Sequence, residues 1–280
     1  MCCVSEGRVN KFVVEFCNKI IPMSNFIINV AVMNIYREPT FQSEVITQGL
    51  LGETCTIIDQ SNDWAKIKQW DGYTGWANNF HGIIQDEDYI ATHLFLIHSG
   101  EIVNSESEIM RTIYFGGNVN AESNGKNYSV ILPDGIKGFI EENLVSKTLT
   151  PKRNSIVNLA QSFLGVPYLW GGKSSMGFDC SGFVQSVYKA HNIELPRDTY
   201  MQEEHFKKEI NLNESLPGDL LFFAEKNKIS HVAISLGGKD FINARGWVRN
   251  ESLNPSNDVY CQKLKENFVK VVSIKELVIS

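Results

Sequence analysis

Cys180 and His231 are the residues of this sequence whose types and surroundings could do nucleophilic chemistry. Cys180 lies in residues 165–185, GVPYLWGGKSSMGFDCSGFVQ, where a glycine-rich loop delivers it to the start of an expected helix. Phe183, Val184, Val187 and Tyr188 recur behind it at helical spacing, the segment 192–196 breaks the pattern, and Asp179 stands at the N-cap position. A free thiol has a pKa of about 8.5, and the unpaired N–H groups and partial positive charge of a helix N-terminus favour the thiolate, the nucleophilic form. A cysteine at a helix start is also commonly a buried structural residue. The chemistry therefore depends on a base.

Six histidines are available. His81, His93 and His98 fall in a β-patterned region, and His191 and His205 stand at helix ends among polar residues, where a solvated histidine is expected. His231 differs. In Ser230-His231-Val232-Ala233-Ile234-Ser235-Leu236, the apolar Val232, Ile234 and Leu236 share one face of a strand, so His231 shares the other with the small Ala233 and Ser235. That leaves room for a second element to meet the imidazole. By analogy with the cysteine, histidine and asparagine of papain-like folds, a third polar group orients the ring, and Asn243 is the candidate. If strands 230–236 and 240–245 pair through a three-residue loop, His231 faces Arg245 and Asn243 lies diagonally on the same face. An unbulged four-residue loop turns Asn243 away.

The elements that must position these residues follow an α+β order. Helical spacing covers 154–164 and ends at Gly165 and Pro167; a second helix begins at Cys180, and 197–206 forms a short third. Strands are expected at 219–224, 230–236, 240–244 and 268–274. Before them, residues 24–148 read as short strands with turn signals, and they repeat: Asp71-Gly72-Tyr73-Thr74-Gly75-Trp76 is echoed 63 residues later by Asp134-Gly135-Ile136-Lys137-Gly138-Phe139. Each copy follows a strand-like run (64–68, 128–132) and leads to an Asn-aromatic or Asn-Leu pair, Asn79-Phe80 and Asn143-Leu144. Two tandem small barrels fit a repeat of this length. Trp64 and Trp76 are expected in the barrel core, whereas Tyr73, at a turn tip, suits an exposed contact. Residues 148–153, with Pro151, read as a linker. Residues 1–22 carry interrupted apolar character and are read as an N-terminal extension, either a short helix, a disordered leader or an upstream addition.

Composition bounds the rest. The chain has 280 residues, 43% of them hydrophobic, and a net charge of −6, which argues against nucleic acid as a partner. Six cysteines lack CxxC or Cys/His ligand spacing, so neither a metal site nor a disulfide framework is indicated, and a reducing compartment is the simpler setting. Neither a secretory h-region nor a membrane span is read, and the expected location is cytoplasmic.

PYLWGG, FDCSGFVQ, LPRDTYMQ, LPGDLLFF and SHVAISLGG, in that order over residues 150–275, resemble the NlpC-type family of papain-like peptidoglycan peptidases. The two β modules resemble bacterial SH3-like domains. The resemblance implies an N-terminal extension (1–22), SH3-like domains at 23–85 and 86–148, and a peptidase domain at 149–280 with helices packed on an antiparallel sheet. It implies a γ-D-glutamyl-L-diamino acid endopeptidase acting without cofactor on a small murein peptide and releasing L-Ala-D-Glu; a monomer is expected. Cys180 would be the nucleophile, His231 the base and Asn243 the third residue, its carbonyl accepting from His231 Nδ1; many members carry histidine there. Tyr168 would place its hydroxyl near the oxyanion. Asp179, Ser181, Glu44 and Tyr73 would surround a free L-Ala ammonium, with Trp170 and Thr199 as further binding residues. A cysteine amidase or acyltransferase on this scaffold, or a non-catalytic wall-binding protein, are the alternatives.

Overall fold

The computed structural model describes residues 24–141 and 145–279. The extension 1–22 and the Asn143-Leu144 pair lie outside the described residues. Two modules precede the helical part. The first has strands β1 (Asn25–Ile28), β2 (Val32–Tyr36), β3 (Val45–Leu50), β4 (Thr54–Ser61), β5 (Trp64–Lys68), β6 (Thr74–Asn78) and β7 (Gly82–Gln85) in the sheet order β3-β2-β6-β5-β4-β1-β7. The second has β8 (His93–Phe95), β9 (Ser99–Val103), β10 (Ile109–Tyr114), β11 (Asn118–Ser123), β12 (Asn127–Ile131), β13 (Lys137–Glu141) and β14 (Val145–Ser146), ordered β10-β9-β13-β12-β11-β8-β14. The second order is the first shifted by seven strands.

The echoed Asp-Gly turns explain why. Gly72 and Gly135 have φ of 81° and 79°, a region costly for residues with a Cβ. Asp71 and Asp134 each accept from the backbone two residues on, at 3.0 and 3.1 Å. Inside the first module Trp64 and Trp76 are buried beside Tyr36. Phe26, Ile28, Met33, Ile35 and Ile67 fill the adjoining core.

The third unit packs helices α1 (Arg153–Ser162), α2 (Cys180–Lys189) and α3 (Thr199–His205), a small ribbon of β15 (Lys173–Ser174) and β16 (Gly177–Phe178), and a six-stranded sheet. That sheet joins β17 (Glu209–Ile210), β18 (Leu220–Glu225), β19 (Lys228–Gly237), β20 (Asp240–Arg245), β21 (Trp247–Ser252) and β22 (Phe268–Val272) in the order β17-β22-β18-β19-β20-β21, all antiparallel. α2 is buried along almost its whole length, with Phe183, Val184 and Val187 against Val232, Ile234 and Ile242 of the sheet. Among the described helices no other has so little solvent-facing surface, and the packing is tight at its first turn: a Cβ on Gly182 would collide with the Gly172 carbonyl oxygen.

Among the described elements of the third unit, β15, β16, β17, β21 and α4 (Gln262–Asn267) escape the sequence patterns. β21 was not expected because Arg249, Asn250 and Glu251 interrupt any apolar alternation; Arg249 pairs with Glu251, which also holds Arg245 and Asn243. α4 buries only Leu264 and carries no helical stripe. His191 also departs from its expected solvated setting. It is fully buried, with Ser155 Oγ and the Val187 carbonyl 2.8 Å from its two ring nitrogens.

The first module is pinned to the third unit by polar contacts. Gln48 Oε1 accepts from Lys173 N at 3.0 Å, Gln185 donates to Asp71 at 2.7 Å, and Lys189 pairs with Glu53. Trp70 donates to Glu53 at 3.1 Å and lies beneath both the Lys189 and Lys173 ammonium groups. These contacts fix the face of β3 and the 69–73 turn beside Cys180. Among the described residues, no helix is long and apolar enough to cross a membrane.

Candidate active site

Cys180 opens α2, and Asp179 caps it: the carboxylate accepts from Gly182 N at 2.6 Å. The cap has a consequence for the thiol. A carboxylate occupies the positive end of the helix, and burial together with that charge pushes the Cys180 thiol up, outweighing the Thr199 hydroxyl and the Val232 and Ser181 N–H groups that favour the anion. The expectation of a resting thiolate is thereby corrected to a neutral thiol. Its sulfur lies 3.6 Å from Thr199 Oγ1.

His231 is the matching neutral base. Burial lowers its pKa to about 4, with Asn243 opposing the shift. β19 and β20 pair Ile234 with Ile242 and Ser235 with Phe241, the register that sets His231 opposite Arg245 and brings Asn243 to its face. The loop is not the simple three-residue one. Gly237 pairs with Asp240, and the extra residue is taken up as a bulge at Leu236, so the register at the site is kept while the turn tightens. His231 Nε2 lies 2.8 Å from Asn243 Oδ1. This corrects the nitrogen expected there: Nε2, not Nδ1, meets the amide, and Nδ1 is left for the cleft. Asn243 is fully buried and donates to Glu251 Oε2 at 2.9 Å.

Two clefts meet at Cys180. One, of about 260 Å³, lies between the first module and the third unit; Glu44 and Tyr73 come from the former, and Trp170, Asp179, Ser181, Asp198 and Thr199 from the latter. The other, of about 340 Å³, runs past His231 toward Glu225, Arg245 and Lys263. Tyr168, Cys180 and Ser230 line both. Burial and the neighbouring Cys180 and Asp179 raise the Tyr168 pKa, so its hydroxyl stays a donor. Tyr168 is held by its backbone N–H, which bonds Gly246 O at 2.8 Å.

The polar groups of the first cleft are not equally free. Arg197, almost completely buried, forks onto Asp179 with bonds of 3.1 and 2.5 Å and reaches Ser181 Oγ at 3.0 Å and Thr47 Oγ1 at 2.8 Å. Asp179 also accepts from Gly171 N at 3.0 Å. Its carboxylate is thus committed to cap, loop and guanidinium. Glu44 is tied less firmly, to the exposed Arg37 at 2.8 Å and to Trp170 Nε1 at 3.1 Å. Tyr73 is half-buried rather than exposed; its hydroxyl lies 3.2 Å from Asp198, its pKa is pushed up to about 12 by burial beside that acid, and burial likewise raises Asp198. Asp198, Arg197 and Glu251 were not singled out from the sequence. The RD pair of LPRDTYMQ was the available signal for the first two. Among the described residues, no group of three or more His, Cys, Asp or Glu side chains is placed to hold a metal ion.

Residues 165–272 match the NlpC/P60 family model, and residues 31–80 match the bacterial SH3 domain model. A γ-D-glutamyl-L-lysine dipeptidyl-peptidase of Bacillus subtilis is 31% identical over 212 residues, 69% of each chain. The chain belongs to the NlpC/P60 family. A Bacillus cereus protein of the same name is 29% identical over 250 residues, covering 78% of this chain and 72% of that one. A crystal structure of an NlpC/P60 family protein from Bacillus cereus, 22% identical, superposes with a TM-score of 0.77 over 89% of this chain and 99% of the other. At that identity the superposition speaks to the fold. This family member therefore combines an NlpC/P60 domain and a bacterial SH3 domain in a mixed, strand-rich architecture.

Proposed function

We propose that the protein is a cysteine peptidase that hydrolyses the γ-D-glutamyl-L-diamino acid bond of murein stem peptides bearing a free N-terminal L-Ala, releasing L-Ala-D-Glu. The observation that carries this reading is the charge and closure of the smaller cleft. Three carboxylates (Glu44, Asp179, Asp198) face two guanidiniums (Arg37, Arg197), leaving one negative charge where the first module walls the cleft off. One buried ammonium needs one such charge. With Asp179 committed to Arg197, the ammonium falls to Glu44, Asp198 and Tyr73, and Asp179 acts by holding the wall and the helix start. Trp170 carries Glu44, Thr199 supports the sulfur, and Ser181 faces the peptide beside Asp179. The names of the Bacillus relatives support the same bond.

In this reading the scissile γ-carbonyl sits over Cys180 and the diamino acid extends into the second cleft. His231 Nδ1 takes the thiol proton as sulfur attacks the carbonyl carbon. The oxyanion meets Tyr168 OH and the N–H of Cys180, which at the first helical position has no intrahelical acceptor. The imidazolium, its Nε2–H held by Asn243 Oδ1, gives its proton to the departing amine as the C–N bond breaks. Water then loses a proton to His231 and attacks the thioester, freeing the acid and restoring the thiol. Residues of the protein suffice for each step.

The same proposal takes 23–85 and 86–148 as two SH3-like barrels, on the repeated strand order and turns, and 149–280 as a papain-like domain, on α2 lying against the antiparallel sheet. It describes a monomer working in a reducing cytoplasm, which suits a free thiol. The test is product analysis by mass spectrometry of L-Ala-γ-D-Glu-L-Lys and its diaminopimelate counterpart. The wild type yields L-Ala-D-Glu and the free diamino acid, and Cys180→Ala yields neither. Intact substrate with the wild type, or equal turnover by Cys180→Ala, refutes the proposal.

A further inference from the structure

We propose that Glu251 is the positioning residue that fixes the Asn243 amide, and through it the protonated nitrogen of His231. The inference rests on the reading of Cys180, His231 and Asn243 given above.

The two ends of an asparagine amide have nearly the same shape, so only its partners decide which end faces the imidazole. Asn243 has two neighbours on its Nδ2 side: the Arg249 carbonyl at 3.3 Å and Glu251 Oε2 at 2.9 Å. The carboxylate is the closer partner and makes the stronger, charge-assisted bond. It can only accept, so it requires the NH2 end and leaves Oδ1 for His231. An accepting Oδ1 at 2.8 Å requires a proton on His231 Nε2. Nδ1 then keeps its lone pair, the form a general base must have.

The sheet builds this row. Asn243 pairs with Arg249 across β20 and β21, so Glu251, two residues further on, lies diagonally on the same face as Asn243. His231 is diagonal to Asn243 on the other side. Glu251 is itself buried and held from both sides: Arg245 bonds it at 2.5 and 3.3 Å, and Arg249 at 2.9 Å. Two guanidiniums on one carboxylate leave little net negative charge to act on His231 through space. The role is orientation. It also accounts for an asparagine at a position where the family resemblance leads one to expect histidine: a fixed acceptor behind it gives the amide a single useful direction.

The experiment compares E251Q, N243D and N243D/E251Q with wild type on L-Ala-γ-D-Glu-L-Lys, with folding checked by circular dichroism. In E251Q the glutamine carbonyl satisfies the arginines and its NH2 faces Asn243, so the asparagine turns its own NH2 to His231. As in other cases of a wrong imidazole tautomer, kcat falls, here by about 10- to 100-fold, while KM stays within about twofold. A donor facing Nε2 disfavours the imidazolium that must form after attack, so the His231 pKa falls and the acid limb of the kcat/KM profile moves to lower pH. N243D sets two carboxylates together with no donor between them and loses activity. N243D/E251Q restores the chain of bonds with acid and amide exchanged, and recovers at least about tenfold over each single variant.

E251Q with wild-type kcat and an unchanged pH profile overturns the proposal. So does a folded double variant no better than the singles. Should E251Q fail to fold, the double variant against N243D alone decides. C180A assayed in parallel separates the two levels: an active C180A removes the reading of the site, whereas an inactive C180A beside a fully active E251Q removes only the role of Glu251.

Discussion

Replacing Arg197 by methionine removes the guanidinium that ties Asp179, Ser181 and Thr47 together. The side chains of Arg197 and Asp179 are 1% and 10% exposed, so water cannot replace the lost partner. Breaking a buried ion pair from one side costs about 3–5 kcal/mol, because a charge remains buried without compensation. The bond to Thr47 Oγ1 at 2.8 Å is lost with it, and that bond crosses from the third unit to the first module. Against a typical domain stability of about 5–15 kcal/mol, R197M should lower the urea-unfolding free energy by about 3–5 kcal/mol. D179N/R197M should recover part of this, with a coupling of about 2 kcal/mol in the double-mutant cycle, because the stranded charge has gone. R197K, which keeps the charge but loses the planar fork, should fall between. A loss under about 1 kcal/mol for R197M, or strict additivity in the cycle, refutes the assignment of Asp179 to Arg197 rather than to substrate.

Three further outcomes follow from the site. His231 has a folded pKa of about 4 against 6.5 when free, so the native state binds fewer protons than the unfolded chain between these values. This contribution, up to about 3 kcal/mol, is present above pH 6.5 and lost as pH falls to 4; urea unfolding of H231Q should lack that part of the pH dependence. Tyr168→Phe should lower kcat by about 100-fold with KM little changed, as loss of an oxyanion donor does, and steady-state kinetics at saturating substrate read it directly. Glu44→Gln should raise KM for the free-amine peptide by about tenfold, moderated by the exposure of Glu44, and should leave KM for an N-acetylated peptide unchanged.

Much of the centre was legible because it is local. Asp179 and Cys180 stand at a helix start whose cap, stripe and stop are all within reach of one another, and the alternation around His231 sets its face. Asn243 was legible only conditionally. Its face depends on the loop, and the answer turned on a bulge at Leu236 that no propensity specifies. The missed residues are those whose meaning lies across the fold. Arg197 looks like a loop residue until its fork onto Asp179 is seen, 18 positions away. Asp198 becomes a cleft residue through Tyr73 of the first module, 125 positions away. Glu251 sits on a strand that reads as irregular because its polar side chains serve the buried row behind His231. The thiolate expectation failed for a related reason: burial of the thiol in the fold, joined by the charge of the residue that caps the helix, pushes its pKa up. In the β modules, the Asp-Gly turns carried the repeat because a positive φ at glycine is a local requirement.

The account stands most directly on the ratio of kcat/KM for L-Ala-γ-D-Glu-L-Lys to that for its N-acetylated analogue. Replacing the ammonium by an amide removes its charge-assisted bonds to the exposed Glu44 and the half-buried Asp198, a difference of about 1.5–3 kcal/mol, so the free-amine peptide should be cleaved at least about tenfold better. Comparable cleavage of the two peptides would contradict it.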